Sequence, residues 1–286
     1  MTAAEAYERF LVPAIFGPWA EAVIALSPPP PGAAVLDVAC GTGIGARVAA
    51  RLVGPAGRVV GLDPDEGMLA IARIATTGDG GAPVAWQRGN ALGLPFAGGA
   101  FDHVVCLEGI QFFPDREAGL REIRRVMRPG GVFLASIWAT LEQNPGYLAL
   151  SEGLRAFVSD AAGRLPPFAL ADPDALRTLL AAAGFTASTV ETHRLAIAAP
   201  SAEDFVTWVA TGAPTTRHNL GLLAPDDRAA FDAFVASRLA PYRTGGRLTL
   251  PSARNVVVAR RCTVGCGDDS PLVDHSPETT AKTRTS

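Results

Sequence analysis

The stretch Val35-Leu-Asp-Val-Ala-Cys-Gly-Thr-Gly-Ile-Gly-Ala46, together with Val59-Val-Gly-Leu-Asp-Pro64, decides the fold of this chain. Each begins with a short apolar run that contains or ends in an aspartate, and the first run passes into a glycine-rich turn. This order predicts a strand, a turn, a helix and a second strand, the repeating unit of a parallel sheet. Since the turn opens a helix, its free N–H groups point at a ligand, and Gly41 and Gly43 leave room for that ligand beside the backbone.

Asp63 ends the second apolar run, where a carboxylate can accept hydrogen bonds from ribose hydroxyls. These features predict a nucleoside-cofactor site, and two kinds of cofactor compete for it. Gly41-Thr-Gly-Ile-Gly-Ala46 satisfies the G-x-G-x-x-G/A pattern of dinucleotide-binding proteins. Asp37, just before the turn, would repel a pyrophosphate and tolerates a cationic sulfonium or ammonium group well.

Five motifs follow one another at regular spacing: LDVACGTG (36–43), VVGLDPDEGML (59–69), GNALGLPF (89–96), AFDHVVC (100–106) and MRPGGVFLASIW (127–138). In this order they resemble the class I S-adenosylmethionine-dependent methyltransferases, and most closely the ubiquinone/menaquinone-methyltransferase-like group of small-molecule enzymes. The resemblance covers residues 33–138, with weaker agreement to 261. It implies S-adenosyl-L-methionine as the cofactor and a small-molecule acceptor, but it does not identify that acceptor.

The resemblance also implies roles for single residues. Asp37 and the turn would face the methionine part of the cofactor, Asp63 would hold the ribose and Met68 would pack on the adenine. The implied cofactor-binding set is Asp37, Ala39, Cys40, Gly41, Gly43, Asp63, Pro64, Met68, Asn90, Ala91, Leu107 and Gln111.

Two positions depart from the commonest form of the family. Ala39 replaces a glycine, as it does in many relatives. Asn90 stands where aspartate is frequent, and its side-chain oxygen can still accept from the adenine amine.

The fold class predicted from alternating apolar runs is α/β. It is a Rossmann-like, doubly wound, mostly parallel seven-stranded sheet with helices on both faces and a helical lid. By resemblance, the last two strands complete the sheet and the final one is antiparallel. The predicted strands are 33–38, 58–63, 84–88, 101–107, 131–138, 186–197 and 247–261. The predicted helices are 3–26, interrupted at Pro13 and Gly17-Pro18, then 43–53, 65–75, 115–127, 173–183, 201–212 and 225–240.

The domain organisation follows from the same pattern. Residues 1–32 are expected to form an N-terminal helical cap and 33–261 a methyltransferase domain. Within it, the less regular segment 139–171 and the helical segment 199–245 are natural lid or acceptor-binding insertions. Residues 262–286 are polar and predict a disordered tail.

Composition excludes several classes of protein. A net charge of −3 and no basic stripe argue against nucleic-acid binding. No stretch is long enough for a membrane span, and Glu5 and Glu8 do not fit a signal peptide, so we expect a cytoplasmic protein without stable membrane insertion. The four cysteines show no zinc spacing with histidines, so no metal site is predicted. Nothing indicates an oligomeric state.

A catalytic base is needed only if the acceptor carries a proton to lose. Glu108, just after strand 101–107, is the best-placed candidate, either as the base or as a group that orients the lid or cofactor. His218, in a predicted lid loop, is a second candidate, and His103, His193 and His275 are weaker ones. Eight aromatic residues could line an apolar acceptor pocket: Tyr7, Phe16, Trp19, Phe168, Phe205, Trp208, Phe231 and Tyr242.

The function expected from the sequence is S-adenosylmethionine-dependent methyl transfer, by in-line displacement, to oxygen, carbon or nitrogen of a small, fairly apolar acceptor. Two alternatives remain. One is an NAD(P)-dependent oxidoreductase, which the position of Asp37 and the Asn90-Ala91 motif disfavour. The other is a non-catalytic S-adenosylmethionine-binding protein, since methyl transfer itself needs no invariant catalytic residue.

Overall fold

The computed structural model of the protein describes residues 1–76 and 80–262. The strands are β1 (Ala34–Val38), β2 (Arg58–Asp63), β3 (Val84–Arg88), β4 (Phe101–Leu107), β5 (Met127–Trp138), β6 (Ala187–Ala199), β7 (Arg243–Thr244) and β8 (Arg247–Arg260). The helices are α1 (Ala3–Ala6), a π-helix (Tyr7–Phe16), α2 (Gly17–Ile24), α3 (Ile44–Val53), α4 (Glu66–Ala75), α5 (Arg116–Val126), α6 (Pro145–Phe157), α7 (Pro173–Ala182), α8 (Ala202–Gly212), α9 (Pro214–Leu220) and α10 (Arg228–Leu239).

The sheet has the order β3-β2-β1-β4-β5-β8-β6. The first five strands of that order are parallel, and β8 runs antiparallel to both β5 and β6. The predicted α/β fold, with its antiparallel final strand, is therefore confirmed. The two-residue strand β7, which pairs with β8 through a tight turn at Gly245-Gly246, was not predicted.

Helices cover both faces of this sheet, as predicted. Alternate residues of β5 belong to two separate hydrophobic clusters, because successive side chains of a strand point to opposite faces. Leu134 packs with α6, α8 and α10, whereas Phe133 packs with α5 and α7. The parallel strands are thus buried on both sides, and their carboxyl ends form one edge of the sheet.

The N-terminal helix is continuous from α1 through the π-helix to α2, whereas interruptions were predicted at Pro13 and Gly17-Pro18. The π-helix accommodates Pro13, because hydrogen bonds to the fifth preceding residue give a wider turn than those of an α-helix. At its end the Gly17 N–H donates to the Val12 carbonyl, and a Cβ on Gly17 would lie 2.9 Å from that oxygen. This helix runs beside α3 and α8.

Three local predictions were wrong. Segment 139–171 contains α6, whose Pro145 sits in the first turn, where a helix tolerates proline. The loop predicted around His218 is helix α9, which again begins with a proline. Strand β5 begins at Met127 instead of Gly131, because Met127 pairs with Phe101 across an irregularity in the register.

The predicted tail, with Cys266 and His275, lies outside the described residues except for Cys262. Cys40 and Cys106 are buried, as expected of small filler side chains. Among the described helices, none has the length and apolar character needed to cross a membrane.

Candidate active site

The turn between β1 and α3 has an unusual backbone. Ala39, Gly41 and Gly43 all have positive φ angles, of 58°, 54° and 86°. A Cβ on Gly41 would meet no atom of the described residues within 4 Å, so this glycine faces open space. A Cβ on Gly43 would overlap the indole ring of Trp86. The two glycines therefore serve different ends, since Gly41 leaves room for a ligand and Gly43 allows close packing.

Asp63 is fixed at the carboxyl end of β2. Its Oδ2 accepts a hydrogen bond from the Gly41 N–H at 2.8 Å, and its Oδ1 accepts one from the Asp65 N–H at 2.9 Å. Burial raises the pKa of this carboxyl. Each carboxylate oxygen keeps a further lone pair for a ligand.

A cavity of about 510 Å³, here called the cofactor cavity, lies over the carboxyl ends of β1, β2 and β4. Its volume falls within the range of small-molecule sites, which is roughly 300–1,000 Å³. The predicted cofactor-binding residues that line it are Ala39, Gly41, Asp63, Pro64, Met68, Asn90, Ala91 and Leu107. The structure therefore brings together residues from three separate sequence motifs.

The Asn90 side chain already has a local partner. Its Oδ1 accepts a hydrogen bond from the Leu92 N–H at 2.9 Å, which forms a turn after β3. Asn90 lines the cofactor cavity, but that oxygen is shared with the backbone.

Asp37 lines a smaller cavity of about 30 Å³ on the other side of the turn, here called the turn cavity. The residue is 2% exposed, and its Oδ2 has no hydrogen-bond partner among the described residues. Burial, with a smaller contribution from the Asp63 carboxylate, raises the pKa of Asp37 to about 7. A hydrogen bond from the Ala46 N–H acts in the opposite direction and lowers this pKa, but burial outweighs it. Gly45 lets α3 approach this carboxylate, since a Cβ there would lie 2.7 Å from Oδ2.

A third cavity of about 210 Å³, here called the aromatic chamber, lies beside the cofactor cavity. Its aromatic lining is Tyr7, Phe16, Phe112, Trp138 and Tyr147. The rings pack on one another, with centroids 4.8 Å apart for Tyr7 and Phe16 and 4.5 Å apart for Trp138 and Tyr147. Residues 165–167 and the segment from Val209 to Thr216 close the other sides.

Of the eight aromatic residues predicted for an acceptor pocket, two line this chamber, Tyr7 and Phe16. Trp19 lines the turn cavity instead. Phe168 packs against Trp138, and Phe205 is buried in the core. The remaining three line none of the three cavities: Trp208, Phe231 and Tyr242.

Tyr7 and Glu108 line all three cavities and mark the place where they meet. Glu108 Oε1 accepts hydrogen bonds from Ser136 Oγ at 2.9 Å and from Arg254 Nε at 2.7 Å. Its Oε2 is buried without a hydrogen-bond partner in the part of the chain that the structure describes. Desolvation and the nearby Glu108 carboxylate raise the pKa of the Tyr7 phenol, so its hydroxyl stays neutral and can donate a hydrogen bond.

Other predicted site residues lie elsewhere. Gln111 is buried, donates from Nε2 to the Glu108 carbonyl at 2.9 Å and does not line these cavities. His218 is exposed on α9 and lines none of the three cavities. His103 lies within β4, where burial lowers its pKa. Cys40 lines the turn cavity, and burial raises its thiol pKa, which keeps it inert.

Sequence reasoning missed Arg254, which is fully buried and forms an ion pair with Glu108. Its guanidinium carbon lies 3.0 Å from the ring centroid of Trp138 and 5.0 Å from that of Trp19. One signal was available, because Arg254 is the only charged residue between Leu248 and Ala259. A lone charge within an apolar strand needs a buried partner.

Comparison with known proteins agrees with this geometry. The Methyltransferase domain family matches residues 36–135. Nocamycin O-methyltransferase of Saccharothrix syringae is 32% identical over 246 residues, which cover 82% of this chain and 87% of that protein. Demethylmenaquinone methyltransferase of Lactococcus lactis is 41% identical over 100 residues, 35% of this chain and 40% of that protein. The chain therefore spans less than half of the latter relative.

Solved structures share the fold. The YcgJ protein of Bacillus subtilis has a TM-score of 0.58 at 16% identity and covers 86% of this chain and 99% of its own. A putative methyltransferase of Bacillus halodurans has a TM-score of 0.57 at 22% identity, with coverage of 85% and 99%. By its sequence relatives and its motifs, the chain belongs to the class I S-adenosylmethionine-dependent methyltransferases, whose cofactor is S-adenosyl-L-methionine.

Proposed function

We propose that this protein transfers a methyl group from S-adenosylmethionine to a small, fairly apolar acceptor held in the aromatic chamber. The observation that carries the proposal is the shared boundary of the cavities, because Tyr7, Glu108 and Phe112 line both the cofactor cavity and the chamber. The names of the two sequence relatives, which refer to nocamycin and demethylmenaquinone, support a small-molecule acceptor.

The cofactor would lie across the cofactor cavity and the turn cavity. Asp63 would accept hydrogen bonds from the ribose hydroxyls, and Met68, Asn90 and Ala91 would contact the adenine. Asp37 would attract the positively charged methionine end of the cofactor, because no described residue is a hydrogen-bond partner of its buried Oδ2. These acidic groups fit a cationic nucleoside better than a dinucleotide, since the turn cavity contains an acid where a pyrophosphate would need a positive charge.

The chain's own part in the reaction is mainly alignment. S-adenosylmethionine supplies a methyl group on a sulfonium, which is already activated for in-line displacement. The walls of the chamber would hold the acceptor in line with that group and exclude water. Positioning of this kind can lower a barrier by roughly 7–11 kcal/mol.

Segments 139–171 and 199–245 would act as the lid, with 1–32 as a cap on 33–261. Tyr147 of α6 and the segment from Val209 to Thr216 supply walls of the chamber, which supports this division. Glu108 would be the base, since it is the single charged side chain among the residues that line the chamber. His218 is no longer a candidate, because it does not reach the chamber.

A chamber-filling variant tests the proposal. Ala213 lines the chamber in extended backbone, so Ala213→Phe places a ring inside it. We expect methyl transfer to a panel of small phenols, quinols and enols to fall by at least about tenfold, while the affinity for S-adenosylhomocysteine stays unchanged. The matched control is Ala233→Phe, in an exposed groove between α8 and α10. Equal activity of the two variants would contradict an acceptor site in the chamber.

A further inference from the structure

The Glu108 carboxylate is held in one orientation from several sides. Its backbone has φ +56°, in the left-handed region that residues other than glycine rarely adopt. Ser136 and Arg254 both donate to Oε1, and Gln111 donates to the Glu108 carbonyl. Strained backbone that is fixed in this way is concentrated at functional sites.

Arg254 is itself immobilised. It lies directly opposite Trp138 in the β5–β8 pairing, which places its guanidinium against that indole ring. Its Nη1 donates to Ser252 Oγ at 2.9 Å and to the Ala253 carbonyl at 3.1 Å. A planar guanidinium stacked in this way fixes the position of the carboxylate beside it.

Glu108 Oε2 is the atom that this arrangement leaves free. Within residues 1–76 and 80–262 it is buried without a hydrogen-bond partner, and Glu108 lines the junction of the three cavities. A buried carboxylate oxygen without a donor is unfavourable, so a ligand that brings an O–H group to the junction is bound more tightly than one that does not.

We infer that Arg254 is a positioning residue for Glu108, and that the pair selects acceptors with an acidic hydroxyl on a flat apolar ring, such as a phenol or an enol. This inference rests on the proposed function. A carboxylate is a weak base, so it can take the proton of such a hydroxyl but not that of an aliphatic alcohol. The acceptor oxygen gives an electron pair to the methyl carbon, the carbon–sulfur bond breaks with its electron pair left on sulfur, and the proton passes to Glu108 Oε2.

Binding experiments test the inference without turnover. The protein, saturated with S-adenosylhomocysteine, is titrated with 2-naphthol and with 2-methoxynaphthalene, which has the same rings but no hydroxyl proton. We expect wild-type protein to bind 2-naphthol at least about tenfold more tightly. Glu108→Gln and Arg254→Met should remove most of that preference, and Arg254→Lys should keep part of it. Glu122→Gln, which changes another glutamate paired with an arginine outside the three cavities, should leave it intact.

A methyl-transfer assay supplies the second measurement. Wild-type protein should methylate 2-naphthol and not decahydro-2-naphthol, whose hydroxyl is not acidic, and Glu108→Gln should lower kcat more than it raises KM. Arg254→Met leaves the buried Glu108 carboxylate without its counter-charge, which destabilises the fold. If this single variant does not fold, the double variant E108Q/R254M, which removes both charges, takes its place in these experiments.

Several results would overturn the inference. The first is that wild-type protein shows no preference for 2-naphthol, which includes the case that neither compound binds. The second is that Glu108→Gln keeps the full preference. The third is that Arg254→Lys and Arg254→Met show equal preferences. If S-adenosylhomocysteine binds but the preference is missing, the inference fails and the proposed function stands. If S-adenosylhomocysteine itself does not bind, the proposed function fails.

Discussion

The carboxylate of Asp63 and the backbone of Gly41 are joined by a 2.8 Å hydrogen bond between the ends of two neighbouring strands. The other carboxylate oxygen accepts from the Asp65 N–H, just before α4. One side chain therefore shapes the glycine turn and the start of the next helix, while it also faces the cofactor cavity. The lining of this cavity and the local backbone depend on the same residue.

Asp63→Ala should weaken binding of S-adenosylhomocysteine. The variant removes a charged acceptor, and a hydrogen bond to a charged group is worth about 1.5–3 kcal/mol, or roughly a 10- to 150-fold rise in Kd. Calorimetric titration of wild-type and variant protein measures the change. Asp172→Ala is the matched control, because Asp172 caps α7 away from the three cavities. It should lower the free energy of unfolding by about 1 kcal/mol and leave Kd unchanged. Equal Kd values for Asp63→Ala and wild-type protein would refute the ribose role.

Gly41→Ala should mainly reduce ligand affinity, whereas Gly43→Ala should mainly reduce the free energy of unfolding. Both glycines have positive φ, so either alanine costs about 1–2 kcal/mol of backbone strain. The new Cβ at Gly41 enters open space and should reduce the affinity for S-adenosylhomocysteine. The new Cβ at Gly43 meets Trp86 and should cost a further 1–3 kcal/mol or so in unfolding free energy. Denaturant unfolding and titration of both variants test this, and equal losses of stability would contradict it.

Binding of S-adenosylhomocysteine should depend on pH through Asp37. With a pKa of about 7, this carboxyl is protonated in the free protein below neutrality. The ammonium group of the bound ligand favours the carboxylate form of Asp37, so binding releases a proton from Asp37. The affinity should therefore rise with pH, by up to about tenfold per unit below pH 7. Titrations between pH 5.5 and 8 measure the slope, and Asp37→Asn should flatten it. The same slope in that variant would mean that another group titrates.

The same pKa sets the sign of a stability effect. An unfolded aspartate titrates near pH 4, so between about pH 4 and 7 the folded protein holds a proton at Asp37 that the unfolded chain has lost. The contribution of Asp37 to the free energy of unfolding therefore falls as pH rises across this window. Unfolding curves of wild-type and Asp37→Asn protein should converge at low pH and separate towards pH 7, with the variant more stable.

The packing of the N-terminal helix against α3 should depend on the ion pair between Glu8 and Arg47. The pair is 2.8 Å long and mostly buried, with side-chain exposures of 24% and 8%. Arg47→Met leaves a carboxylate without its partner and should lower the free energy of unfolding by roughly 1–3 kcal/mol, a figure reduced for the partial exposure of Glu8. It should also speed proteolysis within residues 3–24.

The exposed ion pair between Arg51 of α3 and Glu21 of the continuous N-terminal helix is the control. Arg51→Met should change stability by less than about 1 kcal/mol. If both substitutions leave the digestion rate of the N-terminal helix unchanged, the Glu8–Arg47 pair does not hold that helix against α3.

The sequence predicts which residues lie together when those residues are close along the chain, and it fails for contacts between distant segments. Asp37, Gly41 and Asp63 lie within 27 residues, so strand and turn patterns alone place them at one edge of the sheet. Glu108 was singled out for the same reason, since it follows a predicted strand directly. The carboxyl ends of adjacent parallel strands meet, and no side-chain detail is needed to see that.

Contacts between distant segments could not be predicted in this way. Arg254 reaches Glu108 only because β8 pairs antiparallel with β5 in a particular register, and no local pattern gives that register. Helices α6 and α9 were missed because their prolines resemble helix breakers, although both occupy first turns. His218 was misjudged in consequence, since the orientation of α9 leaves it exposed.

The most direct test of the central claim is calorimetric titration of the purified protein with S-adenosylhomocysteine and, in parallel, with NADH. We predict micromolar binding of S-adenosylhomocysteine that Asp63→Ala weakens, and no binding of NADH. Binding of NADH alone would contradict the account, because it would mean that the glycine turn accepts a pyrophosphate beside Asp37.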